Sequence, residues 1–288
     1  MDKQKAALLS VISNISLVIF KLIAGIMMNS VAVLSEAVHS GIDLIASFVA
    51  FFSIKKARLP ADEDHPYGHG KYENVSGAFE AILILFAAII IIYESIKKII
   101  FKAEIENLNS GIIVMLISAI VNLFISSKLF RIAKKTDSVA LEADAMHLFT
   151  DVFTSAGVFI GLIMIKVTGQ YILDPIFALI VAVLIIKAAY DLTAKSIKDL
   201  VDISLPQEEI SEIYNIIRQY PQITSYHKLR TRKSGDRREI DIHLRMNKET
   251  TLNEAHELCN IIENDIKKSF PNSYVTIHME PEKSFDEN

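Results

Sequence analysis

The property that most constrains this chain is where its apolar residues fall. Six apolar segments, each approaching the roughly 20 residues that cross a 30 Å hydrocarbon core, all lie before residue 200. They run near Ala6–Met28, Val31–Ile54, Ala78–Ile92, Gly111–Phe130, Val139–Val167 and Pro175–Tyr190. Lipid offers the backbone no hydrogen-bond partner, so such runs are expected as helices. The third is the most apolar, with AILILFAAIIII reaching Tyr93 without a polar residue. The first, second and fifth carry Ser, Asn, His, Asp and Lys inside the span. Those groups are expensive in hydrocarbon, so the three spans are expected to face one another or a water-filled cavity, leaving the purely apolar spans to lipid. The fold class expected is an α-helical membrane bundle of six transmembrane helices with a polar interior. No A-x-A-like cleavage site follows the first run, which therefore reads as a retained span and not a removed signal peptide.

Residues 201–288 differ in kind, being dense in Lys, Arg, Asp and Glu. The expected division is a membrane domain over residues 1–200 and a soluble domain over residues 201–288. In the latter, Pro206–Gln219 reads as a helix, and Tyr226–Arg232 and Glu239–Met246 read as a hairpin around Ser234-Gly235-Asp236. Ile240, Ile242, Leu244 and Met246 alternate onto one face. Thr251 with Glu254 is a capping-box start for a helix ending near Phe270-Pro271, and Tyr274–Met279 is a last strand. The order αββαβ fits a small α+β domain of ferredoxin-like type.

Basic residues in the short links set the orientation. Lys55, Lys56, Arg58 and Lys71 follow span two, and Lys128, Arg131, Lys134 and Lys135 follow span four. The opposite links carry Lys97, Lys98, Lys102 and Lys166. The excess favours a cytoplasmic N-terminus, and an even number of spans puts the C-terminal domain on the same side. A net charge of −4 gives no basic excess for nucleic acid. One cysteine, Cys259, excludes an intramolecular disulfide and any CxxC motif.

His39 and His147 lie inside predicted spans. Shifting the chain on itself by 108 residues lays SVAVLSEAVHSGIDLIAS over SVALEADAMHLFTDVFTS. His39 then matches His147 and Asp43 matches Asp151, with Ser30, Val31, Ala32, Ala37 and Ser47 over Ser138, Val139, Ala140, Ala145 and Ser155. A His and an Asp four apart on a helix share a face. Two such helices facing each other offer two imidazoles and two carboxylates, a tetrahedral set suited to Zn²⁺. A single pair would serve as well merely to hydrogen-bond two helices. Two aspartates near midplane cost about 2.5–3.5 kcal/mol each, and a hydrogen bond between spans returns about 0.6–2 kcal/mol. Structural zinc sites reach about 10–16 kcal/mol, so the duplication favours a metal. Glu36 and Asp144 stand one turn earlier in each copy. They are either pathway or proton-handling groups, or they sit at water-exposed helix ends.

Two further clusters stand outside the spans. In PADEDHPYGHGKYE, Asp62, His65 and His69 are three and four apart, with Pro66, Gly68 and Gly70 keeping the path non-helical. Three ligands there would leave a position for water, whereas composition alone reads as a solvated turn. In the soluble part, His278 and Glu280 share a strand face, His243 lies on the polar face of its strand, and His256 follows the capped helix start. These groups could converge on one or two cations. Periodicity gives the faces without showing that they meet, and each histidine singly reads as a surface residue.

Taken together, these residues carry a resemblance to the cation diffusion facilitator family of divalent-metal transporters, of the bacterial zinc-efflux type. It extends from span one to His278 and rests on HxxxD in span two, ADAMHLFTD in span five, PADEDHPYGHGKYE, and HKLRTRKSG followed by IDIHL. The resemblance implies a homodimer in the cell's inner membrane with six spans per subunit, exchanging metal for protons. It implies a transport site of His39, Asp43, His147 and Asp151, a link site of Asp62, His65 and His69, and a cytoplasmic metal-binding dimerisation domain. That domain would hold its metal through His227, His243, His256, His278 and Glu280. Lys71 and Asp202 match a charge pair that joins the membrane and soluble parts. Position 280 is commonly Asp in bacterial members, and Met279 replaces a polar neighbour.

The expected function is therefore a proton-coupled antiporter exporting Zn²⁺ from the cytoplasm, with Cd²⁺, Fe²⁺, Co²⁺ and Ni²⁺ as further candidate cargo. Zn²⁺ is expected both as substrate and as a structural or regulatory ion. No catalytic residue is expected. An intramembrane zinc hydrolase would keep an open coordination position and a general base, whereas protein fills the fourth position here and HExxH is absent. A membrane-tethered metal sensor would not need charged groups at midplane.

Overall fold

The computed structural model describes residues 2–27, 31–101, 109–170 and 172–282. It divides into two compact units, Met1–Ile197 and Lys198–Asn288. Ser30 and Lys102, and the side chains of Glu36 and Lys166, lie outside what is described.

The first unit consists of six long helices, α1 (Lys3–Met27), α2 (Val31–Ala57), α3 (Lys71–Phe101), α4 (Asn109–Thr136), α5 (Val139–Thr168) and α6 (Leu173–Leu200). Among the described residues, five of them, all but α5, contain a stretch long and apolar enough to cross a membrane. α5 is 30 residues long and carries Glu142, Asp144, His147 and Asp151. Helix α1 packs on α2, α4 on α5, and α3 on α5 and α2.

Helix α3 begins well before the apolar run that announced it. Its buried stripe of Glu73, Asn74, Gly77, Glu80, Ala81, Ile84 and Ala88 follows the helical period. Ile82, Leu85, Phe86, Ile89, Ile90, Tyr93 and Ile96 stay exposed on the other side, as a lipid-facing surface requires. The expectation that spans three and four are purely apolar is thereby corrected. Glu80 is buried inside α3, and α4 buries Ser118, Asn122 and Ser126, four residues apart, toward the bundle. Polar residues at helical spacing escape notice when the surrounding average is strongly apolar.

Polar contacts also fix the helix ends. The buried Glu73 carboxylate accepts from Lys3 Nζ of α1 at 2.5 Å and from the Ser138 hydroxyl at the start of α5. Asp137 takes the left-handed conformation, φ 49°, while Ser138 N–H donates back to the Ala133 carbonyl at 3.1 Å. That 6→1 bond closes α4 in the Schellman manner. Ser138 Oγ then accepts from Leu141 N–H at 3.4 Å and opens α5. At Gly77 a Cβ would lie 2.8 Å from both Ser196 Oγ and Val139 Cγ1, so α3 approaches α5 and α6 as closely as it does only because that residue has no side chain.

The second unit has the order α7 (Gln207–Ile217), β1 (Ile223–Ser234), β2 (Arg237–Met246), α8 (Leu252–Ser269) and β3 (Ser273–Pro281). The sheet order is β1-β2-β3, with β1 antiparallel and β3 parallel to the central β2. Gly235, at φ 63°, turns the hairpin. The alternating Ile240, Ile242 and Leu244 of β2 are buried in one core with Ile213 and Ile217 of α7 and Ile262 and Ile266 of α8. The Thr251–Glu254 capping box is formed, with both of its reciprocal bonds present.

Candidate metal centres

In the membrane unit, the repeated HxxxD segments place their ligands on facing sides of α2 and α5. One ligand atom each from His39, Asp43 and Asp151 lies within 4.8 Å of the other two. His147 joins them through Asp43, its Nε2 standing 3.0 Å from Asp43 Oδ1. Its Nδ1 is buried without a hydrogen-bond partner among the described residues. His39, Asp43 and Asp151 border a cavity of about 80 Å³ whose lining also includes Lys21, Asn122 and Ser118. Ligand atoms on a tetrahedral zinc are about 3.4 Å apart, as follows from metal–ligand bonds of roughly 2.0–2.2 Å. The three atoms therefore need to close by roughly 1.4 Å at most to hold an ion.

Two neighbours were not singled out from sequence. Asn122 Nδ2 of α4 donates to Asp151 Oδ2 at 3.2 Å, orienting a ligand carboxylate as outer-shell partners do. Lys21 of α1 donates to Ser40 Oγ at 2.8 Å and brings a cationic group to the cavity wall. The available signal was the general one, that a polar side chain inside a span turns inward. Asp144 is 1% exposed, which removes the reading of a water-exposed helix end. Its Oδ1 accepts from Ser47 Oγ at 2.9 Å.

The link between α2 and α3 forms a compact turn around Asp62. The carboxylate accepts the His65 backbone N–H at 2.7 Å and lies 3.1 Å from His65 Nδ1 and 3.3 Å from His69 Nε2. The three candidate ligand atoms fall within 4.8 Å of one another. His69 is buried, and its Nδ1 lies 3.2 Å from the Pro60 carbonyl. With Nδ1–H donating there, Nε2 presents its lone pair toward the turn. The His65 amide first, and then the His65 ring, hold the Asp62 carboxyl below the usual carboxylate range. A charged carboxylate and a lone pair aimed inward are the forms a cation needs.

In the soluble unit, the strand register aligns three histidines in a row across the sheet, His227 opposite His243 and His243 opposite His278. A bulge after His227, with Lys228 at φ 51°, sets that alignment. Glu280 lies 2.8 Å from His243 Nδ1 and 3.3 Å from His227 Nε2. His278 is 63% exposed and stands 4.0 Å from the same carboxylate. His256 is exposed on α8 and is not among the ligand atoms that converge among the described residues. Arg245 Nε also reaches Glu280, at 3.2 Å. The bond from His243, with Arg245 and His227 nearby, holds the Glu280 carboxyl down to about 2. Desolvation, together with the Arg245 charge, lowers the His227 imidazole from its ordinary value, which favours the neutral, ligating ring. The donor set fits a borderline cation, with Arg245 competing for its carboxylate. Asp202, at φ 58°, accepts from Arg232 Nη1 at 3.1 Å within this unit, while Lys71 opens α3 in the other unit.

Comparison with known proteins gives two family matches. Residues 7–201 match the cation efflux transmembrane domain, and residues 205–282 match the cytoplasmic domain of cation efflux proteins. An uncharacterized transporter of Synechocystis sp. is 34% identical over 276 residues, covering 96% of this chain and 89% of its own. The cation-efflux pump FieF of Shewanella oneidensis is 30% identical over 272 residues, covering 94% and 92%. Among solved structures, the metal-bound C-terminal domain of the CzcD transporter from Thermotoga maritima is 22% identical, with a TM-score of 0.27, covering 28% of this chain and 100% of that one.

Proposed function

The chain belongs to the cation diffusion facilitator family of multi-pass cation efflux transporters, and from that premise we propose that it exports Zn²⁺ from the cytoplasm in exchange for protons. Its relatives are transporters and not enzymes. The observation that carries the reading is the convergence of His39, Asp43 and Asp151 within 4.8 Å, with His147 one hydrogen bond away on Asp43. Two imidazoles and two carboxylates favour borderline cations over Mg²⁺ and Mn²⁺. Among borderline cations Zn²⁺ suits a four-coordinate set best, with Cd²⁺, Fe²⁺, Co²⁺ and Ni²⁺ as competing cargo.

Exchange for protons follows from the same contact. For His147 Nε2 to bind a metal, its hydrogen bond with Asp43 must open and the shared proton must leave, because a ligating imidazole is neutral and a ligating Asp is ionised. A metal arriving from one side thus expels a proton, and protons arriving from the other side expel the metal. All six long helices, α5 included, span the membrane in this reading. The working protein is a homodimer in the cell's inner membrane, with a membrane domain over residues 1–200 and a metal-binding dimerisation domain over residues 201–288. The excess of Lys and Arg in the links after spans two and four supports cytoplasmic termini. Leu252, Ile261 and Tyr274 remain exposed on the second unit, apolar surface available to a second subunit. His227, His243, His278 and Glu280, with His256 added across that contact, would hold a resident Zn²⁺, and Asp62, His65 and His69 another; Lys71 and Asp202 would pair between the two domains.

Reconstituted vesicles enclosing a zinc-sensitive dye test the reading. Zn²⁺ uptake should rise with an opposing proton gradient and collapse with a protonophore. Zinc binding without uptake under any gradient would point to a sensor and overturn the proposal.

A further inference from the structure

The transport ligands are not the only buried acids of the membrane unit. Glu80 of α3 is 0% exposed and Asp144 of α5 is 1% exposed. Neither carboxylate oxygen of Glu80, nor Oδ2 of Asp144, has a hydrogen-bond partner among the described residues. Their neighbours Ala81 and Ala143 are buried in one cluster where α3 packs on α5, which puts both acids at the same helix contact. Among the described residues no Lys or Arg hydrogen-bonds or ion-pairs with either acid. From α1 and α2 the donors described around Asp144 are neutral: Ser47 Oγ donates to it at 2.9 Å and itself accepts from Asn14 Nδ2 at 2.6 Å.

Two buried carboxylates with one donor between them and no paired cation are not a tolerable end state. Burying one unpaired charge already costs several kcal/mol, and like charges side by side do not both ionise. Among the described residues no donor is hydrogen-bonded to Glu80, and the available remedy is the smallest ligand. A protonated carboxyl supplies one O–H donor to its neighbour and keeps an acceptor. We propose that Glu80 and Asp144 share one proton and exchange it during transport, forming a proton site separate from the four metal ligands.

The location explains how the two sites would sense each other. Asp144 lies three residues before His147 on α5, one helical turn away on the same side. A divalent cation among His39, Asp43, His147 and Asp151 raises the positive potential at Asp144 across that turn. The shared proton is then repelled and leaves the pair; when the cation departs, a proton returns and the pair goes back from two negative charges to one. This step rests on the metal-for-proton reading above, whereas the existence of the shared proton does not.

The experiment uses the full-length protein and two readouts. Infrared difference spectra of the metal-free parent should show the C=O stretch of a protonated carboxylic acid at neutral pH, and E80Q or D144N should remove it. Protons released on Zn²⁺ addition, followed with a pH dye in weak buffer, should fall by about one per bound ion in E80Q, as linkage requires, while Zn²⁺ still binds. A parent without the acid band overturns the shared proton, and E80Q releasing as many protons as the parent overturns its exchange. If E80Q does not fold, D144N takes its place in both measurements. A parent that shows the band yet releases no proton on binding zinc refutes the antiport reading and the exchange, and leaves the carboxyl pair standing.

Discussion

Replacing Asp43 or Asp151 by Asn tests the transport site most directly, because Asn keeps the shape and one oxygen but removes the charge. A four-ligand zinc site is worth about 10–16 kcal/mol in peptides. An equal share per ligand is about 2.5–4 kcal/mol, or roughly 70- to 900-fold in Kd. Both carboxylates belong to the group whose ligand atoms lie within 4.8 Å, so either substitution should weaken zinc binding into that range and stop uptake. The surroundings provide a graded control. Asn122 lines the same cavity and donates one 3.2 Å bond to Asp151, and Asn122→Ala should cost about tenfold, the lower end of outer-shell effects. Asp62→Asn, in the link, should leave the transport affinity unchanged. Calorimetric titration of purified protein with Zn²⁺, paired with vesicle uptake and a check of dimer elution, gives all four values. Asp151→Asn within tenfold of the parent, or Asp62→Asn as damaging as Asp151→Asn, would refute the assignment.

His39→Asp exchanges an imidazole for a hard anionic ligand, so uptake of Mn²⁺ and Cd²⁺ should gain on Zn²⁺, and metal should be retained at lower pH; an unchanged preference and pH profile would exclude His39 from the site. The soluble unit, Lys198–Asn288, has its own core and should gain about 2.7 kcal/mol at a free Zn²⁺ concentration about 100 times Kd. That is roughly 10–20 °C in Tm for a domain of this size, and His243→Ala should abolish it. Glu280 sits at about 2 in the folded unit, below the roughly 4.3 of a free Glu. Its contribution is therefore present above about pH 4.3 and is lost as pH falls toward the folded value. Glu280→Gln should flatten the acid limb of melting in the metal-free protein, and an unaltered limb would contradict the contact set. Thr251→Ala, which removes the α8 cap, should cost about 1 kcal/mol by urea unfolding.

The helices were legible because a run of apolar residues long enough to span lipid leaves the backbone few alternatives. Their true lengths and inner faces were not. Lys71 to Gly77 reads as polar link by composition, yet it is the first part of α3, since Glu73 finds Lys3 and Ser138 across the bundle. In the soluble unit the alternation of β2 and the Thr251–Glu254 box are local signals, and both are formed. The alignment of His227 with His243 was beyond such signals, because it depends on a bulge at Lys228 that shifts the register.

For the site, the decisive clue was repetition. One HxxxD on a helix has two uses; the second copy 108 residues later made a shared ion the economical explanation, and the helices bring the two copies together. Helical periodicity says which residues share a face on one helix and nothing about which face another helix offers. For that reason Asn122 and Lys21, which come from α4 and α1 outside the repeat, could be flagged only as polar groups within spans. Nor could spacing reveal that His147 would rest on Asp43. A polar side chain inside a membrane span has only protein, water or a ligand to satisfy it, so its presence in the sequence announces a partner without naming one. Asp43 has His147, Asp151 has Asn122, and Glu73 has Lys3 and Ser138. Glu80 has no hydrogen-bonding partner among the described residues, and by the same rule it is the residue whose partner has to be brought in from solution.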